Sequence, residues 1–391
     1  MRKKSPKTQE HEAAELAFSL VEEHFVDIED YRRTASTSHR LSHIIFITLC
    51  GAIAGANSLK GVAEYAKDME EWFVSILELQ HGVPSYATFW LLFKYLEPEP
   101  LSKCFINWVQ SIAQQSDGKC IAIDGKAQRG TAKAGEPNSF VHIVSAWASQ
   151  EGLTLGQLKV DGKSNEITAI PELIKLVDVK DAVVTIDAMG TQKEIAKALV
   201  EKGADYILAL KGNQSSLYDE VVNCATQAIE HGEDGVDFNV TEQRNEGHGR
   251  IEYRRIYATD HIDFLEEFKK EWKNFKSIAW IESERTVNGK TTREIRYYIT
   301  SLAPNPKELS LHIRSHWGIE NKVHWILDVA FREDEQRARA GHIPENMSLI
   351  RRIALNMLTK EKSAKVGIEL KRQKANRKVD YLLKVLNVNL Y

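Results

Sequence analysis

The chain has 391 residues, 43% of them hydrophobic, with a formal charge of -3; this speaks against a disordered or fibrous protein and leaves room for two or three domains with a sizeable core. A near-neutral total also argues against wholesale coating of nucleic acid, although local basic faces decide phosphate contact. The four cysteines, Cys50, Cys104, Cys120 and Cys224, have no CxxC spacing, which fits neither a disulfide framework nor a zinc ribbon and points to a reducing cytoplasm. The opening segment, residues 1–28, is charged and lacks the apolar stretch of an export signal. The following run LSHIIFITLCGAIAGA falls short of the roughly twenty apolar residues a membrane span needs. It reads as a buried helix, and no membrane association is expected.

Residues 29–116 carry apolar positions at helical spacing and no strand signal. Gly82-Val83-Pro84 followed by Ser85 reads as a turn and an N-cap ahead of YATFWLLFKYL. Two readings fit this block. One is a helix-turn-helix-like DNA-binding region; the other is an ordinary bundle with Phe89, Trp90 and Phe93 in its core.

From Gly118 the pattern changes to short β-branched runs. Residues 117–215 give three strands (CIAIDG, FVHIVSAWAS, LTLGQLKV), then helix, strand, helix, strand, the order of a ribonuclease-H-like α/β core. Residues 216–304 form a β-rich insertion containing a hairpin signal at Asn288-Gly289. Residues 305–360 return to helix, and 361–391 read as a basic tail.

Three acidic residues lie where apolar segments end or turn: Asp124 in IAIDGK, Asp187 in VTIDAMGTQ, and Glu320 in RSHWGIENKVHWILDVAFRED. Phosphodiester cleavage requires an activated oxygen nucleophile and neutralised charge on both attacking and leaving oxygens, which a pair of hard cations on carboxylates provides. Asp124 and Asp187 meet only if their strands are neighbours, as the first and fourth strands of such a core are. Each has a plain alternative: Asp124-Gly125 as a hairpin turn, and Asp187 as the cap of the next helix. His316, Glu320, His324 and Asp328 recur every four residues as one polar helical stripe, in which the histidines are expected near the scissile phosphate. An HExxH zinc spacing is absent. Arg314, Arg332, Arg337, Arg339, Arg351 and Arg352 either line a DNA channel or form a salt-bridged face with Glu333, Asp334 and Glu335. The stretch from Arg244 through His248 to Arg250 is either a loop that reaches DNA or a plain β-turn.

Together IAIDGK, VTIDAMGTQ, HGRIEYR, YYITSL and RSHWGIENKVHWILDVAFRED resemble the H-repeat-associated bacterial insertion-sequence transposases, a branch of the DDE transposases, in matching order from about Asp30 to Thr359. The resemblance implies a helical DNA-binding region, a ribonuclease-H-like core with a β-rich insertion, and Asp124, Asp187 and Glu320 as the catalytic, metal-binding triad. It further implies Mg2+, with Mn2+ as a substitute. Double-stranded DNA, both element ends and target, is the expected partner, bound through Arg250, His248, Arg314, His316, Lys322, His324, Arg332, Arg337 and Arg339 by a homodimer in the synaptic complex. The implied activity is cleavage at element ends and strand transfer of the 3′-hydroxyl. The alternatives are a silent or domesticated DNA-binding descendant and a nuclease without strand transfer. Many related transposases place Tyr, Arg and Lys around the catalytic Glu where this chain has Ile313, His316 and Leu327; Arg314, His316 and Lys322 are the expected substitutes.

Overall fold

The computed structural model describes residues 5–32, 37–112, 119–132, 135–136, 139–160, 165–231, 237–247 and 249–388. Six helices precede the first strand: α1 (Pro6–Phe25), α2 (Leu41–Ile53), α3 (Leu59–Asp68), α4 (Glu70–Leu77), α5 (Tyr86–Tyr95) and α6 (Pro98–Ile112). Every residue of α2 except Ser42 is buried, as expected of a helix that is apolar on all sides. Among the described residues no helix is long and apolar enough to cross a membrane. Ser85 caps α5 by accepting from the Thr88 N–H. Phe89 and Phe93 are buried and Trp90 is half-buried. The end of α5 is tied into the bundle by Asn346, whose amide donates to the Phe93 and Leu96 carbonyls at 3.1 and 2.8 Å.

The sheet has nine strands in the order β3-β2-β1-β4-β5-β9-β8-β7-β6. Strands β1 (Cys120–Gln128), β2 (Val141–Ala148) and β3 (Leu153–Lys159) run antiparallel, while β1, β4 (Val183–Ile186) and β5 (Asp205–Leu210) run parallel. The right-sized crossovers are α7 (Glu166–Leu176) and α8 (Lys193–Glu201). This is the ribonuclease-H-like core. After α9 (Ser215–His231) come β6 (Asn239–Gly247), β7 (Arg250–Thr259), α10 (Glu266–Glu271), β8 (Ser277–Val287) and β9 (Lys290–Thr300). β9 pairs antiparallel with β5, so these strands continue the core sheet. Asn288 and Gly289 turn the β8–β9 hairpin with φ of 49° and 76°, the left-handed pair that a tight hairpin requires.

Helix α11 (Pro306–Ile319), a π-helical turn at Glu320–His324 and α12 (Trp325–Val329) follow. Leu309 and Ile313 of α11 cover one sheet face against Val183, Ile207, Ile256, Ala279 and Tyr298. The alternate residues Val184, Leu208, Tyr257 and Trp280 face the larger core on the other side, the two-residue period of a sheet buried on both faces.

The chain ends in α13 (Ile343–Lys360), α14 (Ile368–Arg377) and α15 (Val379–Leu386). Within the segment expected to be a basic tail, residues 368–377 and 379–386 are thus packed helices. Arg372 is 2% exposed, donates to the Ala52 carbonyl at 2.8 and 3.1 Å and lies 4.0 Å over the Phe331 ring. Lys371 donates to the Leu358 carbonyl at 2.7 Å. Carbonyls at or near the C-terminal ends of α2 and α13 supply the partners, and a run of charges alone does not reveal them.

Candidate active site

Register brings the two aspartates together. Cys120, Ile121, Ala122 and Ile123 of β1 pair in parallel with Val183, Val184, Thr185 and Ile186 of β4, so Asp124 and Asp187 occupy the next position on adjacent strands, whose spacing is about 4.8 Å. Asp124 and Gly125 lie inside the nine-residue strand β1, which removes the hairpin alternative. The Asp187 carboxylate accepts from the Met189 and Gly190 N–H groups at 3.1 and 3.3 Å. It closes the turn after β4; the N-cap of α8 is Gln192.

Both acids sit in an electrostatically unfavourable place. Burial, then the negative charges of Asp187, Glu166 and Glu320, push the Asp124 carboxyl up to about 8 against the bond its oxygen accepts from the Gly125 N–H. Burial also raises Asp187, with Glu166 adding to the effect. Lys126, two residues from Asp124 on the same strand face, offers no relief because three carboxylates hold it: Asp328 at 2.7 Å, Asp334 at 3.2 Å and Glu333 at 3.9 Å.

Glu320 stands at the start of the π-helical turn and is exposed. It lines a cavity of ≈ 420 Å³ together with Asp187, Lys211, Arg296, His316 and Trp317. Two residues earlier, Gly318 lets α11 settle against the sheet: a Cβ there would lie 2.5 Å from the Trp147 ring. Single π-turns inside α-helices frequently mark functional sites. Here the widened turn keeps His316 and His324 towards the sheet, with Glu320 between them at the rim.

The histidines face inward. His316 Nδ1 lies 3.0 Å from the Thr185 hydroxyl, and burial lowers its pKa to about 4. His324 Nδ1 is 3.6 Å from Asp124 Oδ2, and its Nε2 is buried without a partner. Burial, then nearby Arg352 and Lys126, lower its pKa to about 3. Both are neutral at neutral pH and largely shielded from any duplex lying on the surface, a placement the helical stripe alone does not disclose.

Arg314 donates to Gln243 at 3.1 Å. With Arg250, Arg254, Arg285, Arg293 and Arg296 it lines an ≈ 850 Å³ cleft that runs from the inserted strands to Trp317 and Glu320. Lys322 is exposed, 5.8 Å from the Trp147 ring. Arg332, Arg337 and Arg339 are exposed on the segment after α12. Arg332 pairs with Glu335 at 3.8 Å and Arg339 reaches the Gly130 carbonyl at 3.4 Å. His248 lies outside the described residues. Arg351 and Arg352 do not face a channel: they are 3% and 0% exposed and bind the buried Glu333 at 3.6 and 3.2 Å.

Sequence reasoning overlooked Glu166. It occupies the first turn of α7, accepts from His142 Nε2 at 2.8 Å, and approaches β1 so closely that a Cβ on Gly125 would lie 2.1 Å from its carboxylate. The signal was present in Asn165, a helix cap that fixes Glu166 at the start of the helix following the third strand.

A family model described as "Transposase DDE domain" matches residues 115–357, and one described as "DDE_Tnp_1-associated" matches residues 22–109. YncI, a candidate transposase of Escherichia coli O157:H7, is 37% identical, with 92% of each chain covered. YhhI, an H repeat-associated candidate transposase of Escherichia coli strain K12, is 35% identical over 93% of this chain and 97% of its own. The fold is also similar to that of the piggyBac transposase in a synaptic complex with hairpin DNA, with a TM-score of 0.47 and 13% identity, covering 96% of this chain and 80% of that one.

Proposed function

Since the chain belongs to the family of transposases with a DDE domain, we propose that it cuts DNA at the ends of a mobile element and joins the freed 3′-hydroxyl to target DNA. The observation that supports this most is the in-register pair Asp124 and Asp187, two half-buried acids to which no Lys or Arg side chain among the described residues is bound. Among the described residues no three His, Cys, Asp or Glu side chains form a ready-made metal cage. The donor set nevertheless fits a hard divalent cation: carboxylate oxygens in mutual repulsion, with Glu320 across the adjoining cavity. Asp124, Asp187 and Glu320 are assigned to hold Mg2+, with Mn2+ as substitute. Such ions supply charge neutralisation on the attacking and leaving oxygens.

The chain's own residues do the rest. The Gly125 N–H holds the Asp124 carboxylate at 2.9 Å with His324 3.6 Å away, and the turn at Met189 and Gly190 holds Asp187. Water attacks the phosphorus at the element end, the bond to the 3′ oxygen breaks, and the released 3′-hydroxyl attacks a target phosphorus in line and displaces the target strand's own 3′ oxygen as a hydroxyl, with no covalent protein intermediate. Arg250 and Arg314, in the cleft leading to Glu320, are assigned to backbone phosphates, as are Lys322, Arg332, Arg337 and Arg339 on the exposed surface. The helical block α2 to α6 positions the ends. Two ends must be brought together, so two copies act in the synaptic complex.

The test is a plasmid assay with purified protein, Mg2+ and a marker flanked by the DNA that borders this gene, with Asp187→Ala as control. Ends joined to target by the wild type alone support the proposal. Nicking without joining would replace it with a nuclease, and end binding without cleavage would replace it with a silent DNA-binding protein.

A further inference from the structure

We propose that Lys211 is the side chain that binds the scissile phosphate, an inference that rests on the DNA-cleaving reading above. The helix bearing Glu320 leaves that task open. Ile313 and Leu327, at two positions where related transposases carry Tyr and Lys, are 4% and 0% exposed in the core, and His316 at the third is bonded to Thr185. Neither Arg314 nor Lys322 lines the cavity between Asp187 and Glu320.

Two cationic side chains line it, Lys211 and Arg296, beside the uncharged His316. Arg296 is already engaged: Glu294 accepts from it at 2.8 and 3.0 Å, and its guanidinium lies 4.2 Å over Trp317. Lys211 is exposed, and no carboxylate among the described residues pairs with it. Its backbone, by contrast, is fixed. Lys211 directly follows β5 and leads into a short turn, Gly212–Gln214, that is bonded to the segment after Asp187. Asn213 donates to the Ala188 carbonyl at 2.7 Å, Gln214 to the Thr191 carbonyl at 3.0 Å, and the Thr191 hydroxyl to the Ala209 carbonyl at 2.5 Å. The field of Lys211 reaches Asp187, where it partly offsets the larger effect of burial.

A fixed backbone with an uncommitted ammonium suits a contact made only when DNA arrives. As the oxygen of water bonds to phosphorus and the bond to the 3′ oxygen breaks, negative charge builds on the non-bridging oxygens. Lys211 Nζ donates to one of them. The 3′ oxygen leaves as a hydroxyl and the phosphate stays on the 5′ side.

The experiment compares full-length wild type, Lys211→Gln and Lys211→Arg on duplexes of the DNA ends bordering this gene, made with either a natural or an uncharged methylphosphonate linkage at the scissile position. Binding is measured in Ca2+ and single-turnover cleavage in Mg2+. Removal of one preorganised donor to a developing oxyanion slows chemistry about 100-fold, so Lys211→Gln should cleave the natural duplex that much more slowly, and Lys211→Arg should recover most of the rate. Wild type should bind the natural linkage several-fold tighter than the methylphosphonate, and Lys211→Gln should not discriminate. Full discrimination retained by Lys211→Gln, or a cleavage rate within about 3-fold of wild type, would overturn the assignment. If the wild type binds ends but does not cut, the discrimination alone decides. If it binds no ends, the DNA-cleaving reading fails and takes Lys211 with it.

Discussion

Glu333→Gln should be among the most destabilising single changes in the chain. Glu333 is 0% exposed, and three cations surround it: Arg352 at 3.2 Å, Arg351 at 3.6 Å and Lys126 at 3.9 Å. Burial alone would raise its carboxyl, but Arg352, Arg351 and Lys126 hold it below the ordinary carboxylate range. The glutamine keeps the volume and removes the charge, leaving Arg351 and Arg352 buried without a counter-ion. Removing one partner of a buried pair costs about 3–5 kcal/mol. Small proteins reach a urea dependence of about 3 kcal/mol/M and larger chains exceed it, so the unfolding midpoint should fall by roughly 1 M. Urea titration followed by tryptophan fluorescence measures it, with Glu335→Gln as control: Glu335 is 68% exposed in its pair with Arg332, and such pairs contribute at most about 1 kcal/mol. Adding Arg352→Met to Glu333→Gln should recover part of the loss, because it removes one stranded charge. Equal midpoints for Glu333→Gln and wild type would refute the reasoning.

Gly125→Ala places a methyl 2.1 Å from the Glu166 carboxylate and 2.6 Å from His142 Nε2; overpacking of this kind costs about 1–3 kcal/mol, and a calorimetric melting temperature unchanged from wild type would contradict it. Acid should probe Glu361. Burial opposes its ionisation, but hydrogen bonds from Ser363, Tyr381 and the Ala364 N–H hold its pKa down to about 2. The folded value lies below the ordinary 4.5, so the stabilisation is complete above that pH and is lost as pH falls from there towards 2. Glu361→Gln should flatten that part of the stability curve, and an acid limb identical to wild type would exclude the effect. Arg314→Ala should weaken binding of end and unrelated duplexes alike and reduce the slope of log affinity against log salt by about 1; a loss confined to one sequence would mean a base contact instead.

What the sequence disclosed and what it hid divide along physical lines. The β-branched runs and the order of elements marked Asp124 and Asp187 as strand-end acids that meet if their strands are neighbours, and the parallel pairing of β1 with β4 supplies that condition. The Asn288-Gly289 hairpin was equally legible from backbone sterics. Continuation of the sheet from β5 to β9 was not, since no local pattern specifies which distant edge a strand joins. Burial was the other hidden quantity. His316, His324, Arg351, Arg352, Lys371 and Arg372 all read as surface chemistry in one dimension, and each is turned inward by partners far away in the chain, from the Thr185 hydroxyl to the Ala52 carbonyl.

These two limits explain why the site contains more than its three expected carboxylates. Lys126 lies on the strand face of Asp124, only two residues away, and would be the obvious counter-ion. It is instead taken up by Asp328, Asp334 and Glu333, residues that follow Glu320 and join β1 to α13. That web does two things at once. It holds the segment bearing Glu320 against the strand bearing Asp124, and it withholds from Asp124 the cation that would neutralise it. On the opposite face, Gly125 leaves room for Glu166, which adds negative charge to the same place. Strand, helix and loop therefore crowd acidic groups at one point, and among the described residues Lys126 and Arg296 are committed to other partners while Lys211 is paired with no carboxylate. A site arranged in this way is stabilised by a cation from solution and by a phosphate that brings one with it, which is the electrostatic condition for cutting DNA.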